Sequence, residues 1–421
     1  MSAPRELHID SALLQQQIDE LAAISEQPPP VVTRVLFSEA DLRARRCVRR
    51  LCTDAGLVLR EDALGNLFAR WPGKDLALPP DATGSHIDAI PNAGRYDGVV
   101  GVLGAIEAIR ALRRAGFEPG RSIELIVFTA EEPTRFGIGC LGSRVLSGVL
   151  ALDKAAALRD ADGISLDEWR ARAGLAPQPL RSVPLAPGCY SAFLELHIEQ
   201  GPILEREGVP IGVVEKIAAP ATLRLELTGE GGHAGAVLMP ERRDALLAGA
   251  EIALAVERAV TATGSPDTVG TTGGFLIEPG AVNSIPCRAL LEIDVRDTDQ
   301  TTRDRALREI EMAVHEICRR RGIVPRLEML NADPPAFCDP RLVGIVEAVS
   351  AAAGLRVKRM ISRAYHDSLF MAQICPTTLV FIPCRGGVSH RPDEYSAPGQ
   401  ILDGVRVLAG ALLRLSSVGE W

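Results

Sequence analysis

The sequence predicts an α/β protein of two domains. One is built on a mostly parallel sheet; the other is an inserted α+β open-faced sandwich. Three observations carry this. The chain's 421 residues exceed what one ordinary core accommodates. Strand and helix patterns alternate between residues 79 and 129, the rhythm of a sheet whose ligands bind at strand carboxyl ends. After about Gly212 the pattern changes to strands of clean apolar–polar alternation, which suit an antiparallel sheet with one covered face.

The elements follow in order. Residues 11–25 place Leu14, Ile18, Leu21 and Ala22 on one helical face. Ser38-Glu39-Ala40-Asp41 reads as a capping box opening a second helix, which carries Val48, Leu51 and Cys52 inward. Residues 57–71 read as a hairpin with Ala63-Leu64-Gly65-Asn66 near its turn. Residues 79–83 lead into a strand ending at Ser85-His86. A helix at 101–114 and a buried strand at 123–129 follow. Residues 151–190, rich in Ala, Pro and Arg, predict short helices and a loop before strand character returns at 192–199. Residues 222–228 alternate as a half-buried strand. Pro240 is expected to open a helix through Ala262 with Leu246, Ala250 and Leu254 on one face. Strands at 269–277 and 290–296 precede a helix at 303–321 that turns Ala306, Ile310, Ala313, Val314 and Ile317 inward. The expected division is 1–212 with 328–421 for the parallel domain and 213–327 for the insert. Residues 377–383 form a last buried strand leading into Cys384-Arg385-Gly386-Gly387-Val388-Ser389-His390.

Bulk properties exclude several classes. Hydrophobic residues are 47% and charged residues 24%, as in ordinary globular proteins. Net charge is −8, basic residues are scattered and aromatics are only 4%, so no nucleic-acid partner is expected. No apolar run approaches the roughly 20 residues that span a bilayer, so no membrane partner is expected. Met1-Ser2-Ala3-Pro4-Arg5-Glu6 lacks the charged-then-apolar pattern of a leader. The nine cysteines form no CxxC pair and mostly lie in apolar segments. They read as free thiols in a reducing compartment, hence a cytoplasmic enzyme without structural disulfides.

The chemistry concentrates at predicted strand ends. A hydrolytic pair of divalent metals needs about five or six protein ligands, one a bridging carboxylate. His86, Asp97, Glu132, His197 and His390 are of the right types. Asp97 suits the bridge, because one carboxylate offers an oxygen to each ion. Asp88, two residues after His86, can orient that imidazole. Glu131 points away from Glu132 in an extended segment and can act as general base toward water and proton donor to a leaving nitrogen.

Several motifs together resemble the M20-type metallo-amidohydrolases. They are Gly84-Ser85-His86-Ile87-Asp88, Arg95-Tyr96-Asp97-Gly98, Glu131-Glu132-Pro133-Thr134-Arg135-Phe136-Gly137 and Leu194-Glu195-Leu196-His197-Ile198-Glu199-Gln200-Gly201. Gly231-Gly232-His233-Ala234-Gly235, Ala281-Val282-Asn283-Ser284-Ile285-Pro286 and Gly387-Val388-Ser389-His390-Arg391-Pro392 continue the likeness. The branch is that of the N-carbamoyl-L-amino acid hydrolases, β-ureidopropionase, and the allantoate and ureidoglycolate amidohydrolases. The resemblance implies two divalent ions per subunit, Mn²⁺ or Zn²⁺. One would be held by His86, Asp97 and His197, the other by Asp97, Glu132 and His390, with Glu131 as base. It implies that the insert is a lid and dimerisation domain, so the chain is expected to be a homodimer. His233 would reach into the active site of the partner subunit and polarise the scissile carbonyl. Asn283 and Arg296 would bind a substrate carboxylate; Arg296 could instead pair with Asp294 or Asp297. Gln200 would contact the ureido group or support His197. Within the branch, Ile361-Ser362-Arg363-Ala364-Tyr365-His366-Asp367-Ser368 and Ala234-Gly235-Ala236-Val237-Leu238-Met239-Pro240 are most similar to the ureidoglycolate amidohydrolases. Tyr365 and His366 would then read the substrate or form a buried pair that supports the site. The expected substrate is a small ureido compound bearing a carboxylate, (S)-ureidoglycolate. Allantoate or an N-carbamoyl amino acid is the alternative, and a non-catalytic homologue the remote one.

Overall fold

A computed structural model describes residues 7–175 and 178–417. The leader pattern weighed at Met1 to Glu6 lies outside the described residues. The chain begins with α1 (Ser11–Ala22), β1 (Val32–Arg34) and α2 (Glu39–Asp54), then the hairpin β2 (Val58–Glu61) and β3 (Leu67–Trp71). Next come β4 (Asp81–His86), β5 (Ala89–Ala93), α3 (Val99–Arg114) and β6 (Ile123–Phe128). Short helices α4 (Leu141–Leu146), α5 (Leu152–Ala157) and α6 (Leu166–Arg172) precede β7 (Ala192–Ile198), α7 (Ile203–Glu207) and β8 (Ile211–Ile217). A second run holds β9 (Ala219–Thr228), β10 (Gly232–His233), α8 (Ala245–Thr261), β11 (Val269–Glu278), β12 (Ser284–Ile285), β13 (Arg288–Asp297), α9 (Gln300–Arg321) and β14 (Val324–Ala332). The chain closes with β15 (Ala336–Phe337), α10 (Pro340–Ala352), β16 (Val357–Ser362), α11 (Asp367–Met371), β17 (Thr377–Ile382) and α12 (Pro398–Leu415).

These elements form two compact units. The first comprises the chain up to Glu215, Phe337–Met360 and the chain from His366 onward. Its sheet runs β15-β8-β17-β7-β4-β6-β3-β2, with β16 also on β8. The central neighbours β17, β7, β4 and β6 are parallel, and β3 and β8 join them antiparallel. Every residue of those four central strands is buried. Burial along every residue is what a sheet covered on both faces requires; β6, β7 and β17 meet it with mostly apolar residues, β4 with small and hydrogen-bonded polar ones. Alternation along β7 sends Phe193, Glu195 and His197 to one face and Leu194 and Leu196 to the other. Phe193 joins a cluster with Phe128, Leu141, Val145 and Met371. Leu196 lies against Gly104 of α3 and Gly404 of α12. α3 is apolar nearly all round, as a helix wedged between a sheet and α12 must be.

The second unit comprises Lys216–Ala336 and Ile361–Tyr365. Its antiparallel sheet has the order β11-β13-β9-β14. Leu223, Leu225, Leu227, Leu291 and Ile293 of the sheet meet Ile252 and Val256 of α8 and Ile310 and Val314 of α9 in one core.

Four local expectations are corrected. Pro240 sits in a separate turn, and α8 starts only at Ala245, where the Asp244 side chain accepts the Leu247 N–H at 3.1 Å. The buried stripe of α8 is not Leu246, Ala250 and Leu254; Leu254 is exposed, and Ala245, Ala248, Ile252, Ala255 and Val256 are buried. The helix lies so close to the sheet that a Cβ on Gly249 would meet the Phe275 ring at 2.6 Å, so that stripe takes small residues. Ser38 caps α2 by accepting the Asp41 N–H, yet the Asp41 carboxylate turns to the Phe37 N–H and Arg45 instead of closing a box. Finally, residue 327 falls inside β14, which pairs with β9 from Val324 to Ala332, so the chain leaves the second unit later than 327. Pro325 masks that strand's alternation.

Candidate metal centre

The site lies at the carboxyl ends of the parallel strands. His86 is the last residue of β4 and His197 the penultimate residue of β7. The segments after β6 and β17 bring Glu131, Glu132 and His390. Asp97 precedes α3 by two residues, and Gly98 between them has φ +64°. A side chain there would strike the His86 ring at 2.5 Å, so only glycine lets α3 start this close.

All three imidazoles aim Nε2 at one carboxylate. Asp97 Oδ1 lies 3.4 Å from His86 and 3.1 Å from His197. Asp97 Oδ2 lies 3.1 Å from His390, whose Nε2 is also 3.3 Å from Glu132 Oε1. Two candidate ligand groups therefore share Asp97: His86, Asp97 and His197, and Asp97, Glu132 and His390. Backbone carbonyls hold the other nitrogens of two rings. His86 Nδ1 is 3.2 Å from the Asp88 carbonyl and His197 Nδ1 is 2.9 Å from that of Ile198. That contact leaves each Nε2 a lone pair for a cation. His390 and Gln200 hold left-handed backbone with φ +59° and +55°, local strain of the kind found where side chains must be aimed.

The charges fit a cation. Burial pushes the Glu131 carboxyl well above its ordinary value, with Glu132, Asp367 and Asp97 adding to the effect. Burial and then Asp97 push Glu132 up to about 7. Burial would also raise Asp97, but hydrogen bonds from the three imidazoles hold it well below the carboxylate range. His390 rises to about 9, chiefly through its bond to Asp97. Three imidazoles and two buried acids crowded around one ionised carboxylate are a donor set that a divalent ion would complete by displacing their protons.

Asp88 sits beneath, accepting the Glu131 N–H at 3.2 Å and the Glu132 N–H at 3.0 Å. It positions the acidic segment as well as flanking His86. Gln200 Nε2 donates to Asp97 Oδ2 at 2.7 Å and to Ser389 at 3.1 Å, so it adjoins the shared carboxylate directly. His366 is buried with its ring 4.4 Å from that of His197. Glu195 accepts from Ser85 at 2.8 Å and from the Ser368 hydroxyl at 2.6 Å, tying β4, β7 and α11 together. Two supporting residues have roles that the sequence does not assign, although Glu394 lies in the stretch Asp393-Glu394-Tyr395-Ser396 that also fits the family likeness. Glu394 accepts the Tyr96 N–H at 2.7 Å, the Asp97 N–H at 3.1 Å and the Ser389 hydroxyl at 2.9 Å. Buried Arg34 donates to the Ile87 carbonyl at 2.7 Å and anchors the strand end at His86. Only their position beside residues distant in sequence reveals them.

The remaining candidates belong to the second unit. His233 and Asn283 are exposed neighbours, with the Ala234 N–H on the Asn283 carbonyl at 2.9 Å. Arg296 pairs with Asp294 at 2.6 Å and lies over the half-buried Tyr365 ring at 5.3 Å.

The chain matches the peptidase family M20/M25/M40 over residues 82–414 and belongs to that family. Its likeness is more particular still. The ureidoglycolate hydrolase of Oryza sativa subsp. japonica is 52% identical over 97% of this chain and 85% of its own. The crystal structure of AtUAH in complex with glyoxylate matches with a TM-score of 0.92 and 53% identity, over 97% of this chain and 98% of that one. That of AtUAH in complex with (S)-hydroxyglycine matches equally at 0.92, with 52% identity.

Proposed function

We propose that this protein is a metal-dependent amidohydrolase that cleaves the ureido C–N bond of (S)-ureidoglycolate. The carrying observation is Asp97, whose two oxygens face two separate ligand groups. The likeness to ureidoglycolate hydrolase over nearly the whole chain supports the substrate.

Divalent ions held by His86, Asp97, His197, Glu132 and His390, Mn²⁺ or Zn²⁺ on this donor set, would polarise the ureido carbonyl and acidify water. Glu131, buried beside them, takes the proton of the attacking water and returns it to the ureido nitrogen as that C–N bond breaks. The products are carbamate, which decomposes to ammonia and CO₂, and hydroxyglycine, which loses a second ammonia to give glyoxylate. Gln200 holds the shared carboxylate and faces the ureido group. Asn283 and Arg296 bind the substrate carboxylate, for which Arg296 exchanges its pairing with Asp294. His233 of the partner subunit polarises the carbonyl in a homodimer whose second unit is the lid and dimerisation domain. Tyr365 reads the substrate hydroxyl, and His366 steadies His197. Free cysteines throughout the described chain suit a reducing, cytoplasmic setting.

The test is ammonia release from Mn²⁺-reconstituted protein offered ureidoglycolate, allantoate and several N-carbamoyl amino acids in parallel. Preference for ureidoglycolate, with glyoxylate and two ammonia per turnover, is the expected result. Preference for another ureido compound would overturn the substrate and move the error to the pocket.

A further inference from the structure

The segment that carries Glu131 folds back on itself. The Gly142 N–H donates to the Thr129 carbonyl at 2.7 Å, Leu141 to Ala130 at 2.8 Å and Cys140 to Glu131 at 2.7 Å. These three bonds set Cys140 directly beside Glu131. Cys140 is fully buried, and its backbone is left-handed at φ +52° and ψ +35°, as the N-cap of α4. Residues other than glycine rarely hold that region, so its side chain is aimed at the expense of backbone strain. The thiol points at the base: Cys140 Sγ lies 3.4 Å from Glu131 Oε1. Ser143 secures the turn from behind, its hydroxyl 3.3 Å from the Cys140 carbonyl and 2.5 Å from Asp367.

We propose that Cys140 is a positioning residue for Glu131, its S–H donating to one carboxylate oxygen and so fixing which oxygen faces the water. Burial, followed by the neighbouring Glu131 and Asp367 charges, pushes the thiol well above its ordinary range and keeps it a donor. The other carboxylate oxygen, Oε2, is left facing His86 at 3.8 Å, on the metal side of the residue. The inference rests on the reading of Glu131 as base.

The experiment compares Cys140→Ala, Cys140→Ser and Glu131→Gln as holoenzymes, measuring kcat and KM for ureidoglycolate, metal content and thermal midpoint. Cys140→Ala should lower kcat about tenfold with KM and metal content unchanged, the scale of one hydrogen bond to a charged group. Cys140→Ser, which retains a donor, should recover most of that loss. An unchanged kcat in Cys140→Ala, or no recovery in a Cys140→Ser protein of wild-type thermal midpoint, would overturn the proposal. So would a loss that tracks lowered metal content. If Glu131→Gln itself retains substantial turnover, the base assignment fails, whatever the cysteine variants do.

Discussion

Asp97 is the residue on which the site turns, and its neighbours show how it is aimed. Its backbone N–H and that of Tyr96 are taken by Glu394, and its Oδ2 receives Gln200 and Ser389. Removing Glu394 leaves two N–H groups and a hydroxyl without that acceptor and frees the carboxylate to drift. Glu394→Ala should weaken metal binding about 10–100-fold, as supporting partners of metal ligands do, and Glu394→Gln less, since it keeps a carbonyl acceptor. Direct titration of stripped protein with Mn²⁺ measures this, and undiminished affinity in Glu394→Ala would reject the role. His86, Asp97, Glu132, His197 and His390 stand out in the sequence because each follows or opens an apolar run beside glycine or a second acid. Glu394 and Arg34 do not. Glu394 meets Asp97 across 297 positions, a distance no local pattern spans. One charged residue among the neighbours Arg391 and Asp393 carries no trace of such a contact.

Elements place these residues by how closely they pack. α3 approaches β4 and β7 so tightly that a Cβ on Gly101 would stand 2.4 Å from the Leu196 carbonyl and 2.7 Å from the Ser85 Cβ. Alanine favours helix over glycine by about 1 kcal/mol, but overpacking against backbone costs about 1–3 kcal/mol and moves the start of α3, which Asp97 adjoins. Gly101→Ala should therefore lower both the urea midpoint and kcat; a raised midpoint would contradict this packing. The opposite end of β4 carries a pH-sensitive group. Asp81 is buried beside Ser416 at 2.8 Å, and burial pushes its carboxyl up to about 6. A raised carboxyl favours the neutral form in the fold. Its contribution is complete below the ordinary aspartate value near 3.8 and is lost as pH rises through about 6. Stability should thus fall between about pH 4 and pH 6 by up to about 3 kcal/mol through this group. Asp81→Asn should flatten that fall in denaturant titrations, and an unaltered slope would contradict it. Strands β6, β7 and β17 are legible because burial on both faces leaves mostly apolar runs, whereas β4 is marked only by its motif Gly84-Ser85-His86. The start and facing of α8 are not, since a proline at a helix entrance and leucines at helical spacing mimic signals that the Asp244 cap and a close sheet override. Strand β14 escapes notice because Pro325 breaks its alternation.

At the scale of the whole molecule, the sequence changes rhythm near residues 212 and 327, and the chain forms two compact units. The first division, near residue 212, lies just before Lys216, where the second unit begins. The return is later than the rhythm suggests, because β14 must add to the edge of the antiparallel sheet beside β9. Ile361–Tyr365 also belongs to the second unit, a short crossing too brief for any composition shift to mark. The first unit holds both ligand groups that share Asp97. The most direct measurement is a count of Mn²⁺ bound per chain during reconstitution of stripped protein, with ureidoglycolate turnover followed at each addition. The shared carboxylate predicts two ions per chain, activity that reaches its maximum only as the second is bound, and loss of both features in Asp97→Ala. Full activity with one ion per chain, or two-ion binding that survives Asp97→Ala, would contradict it.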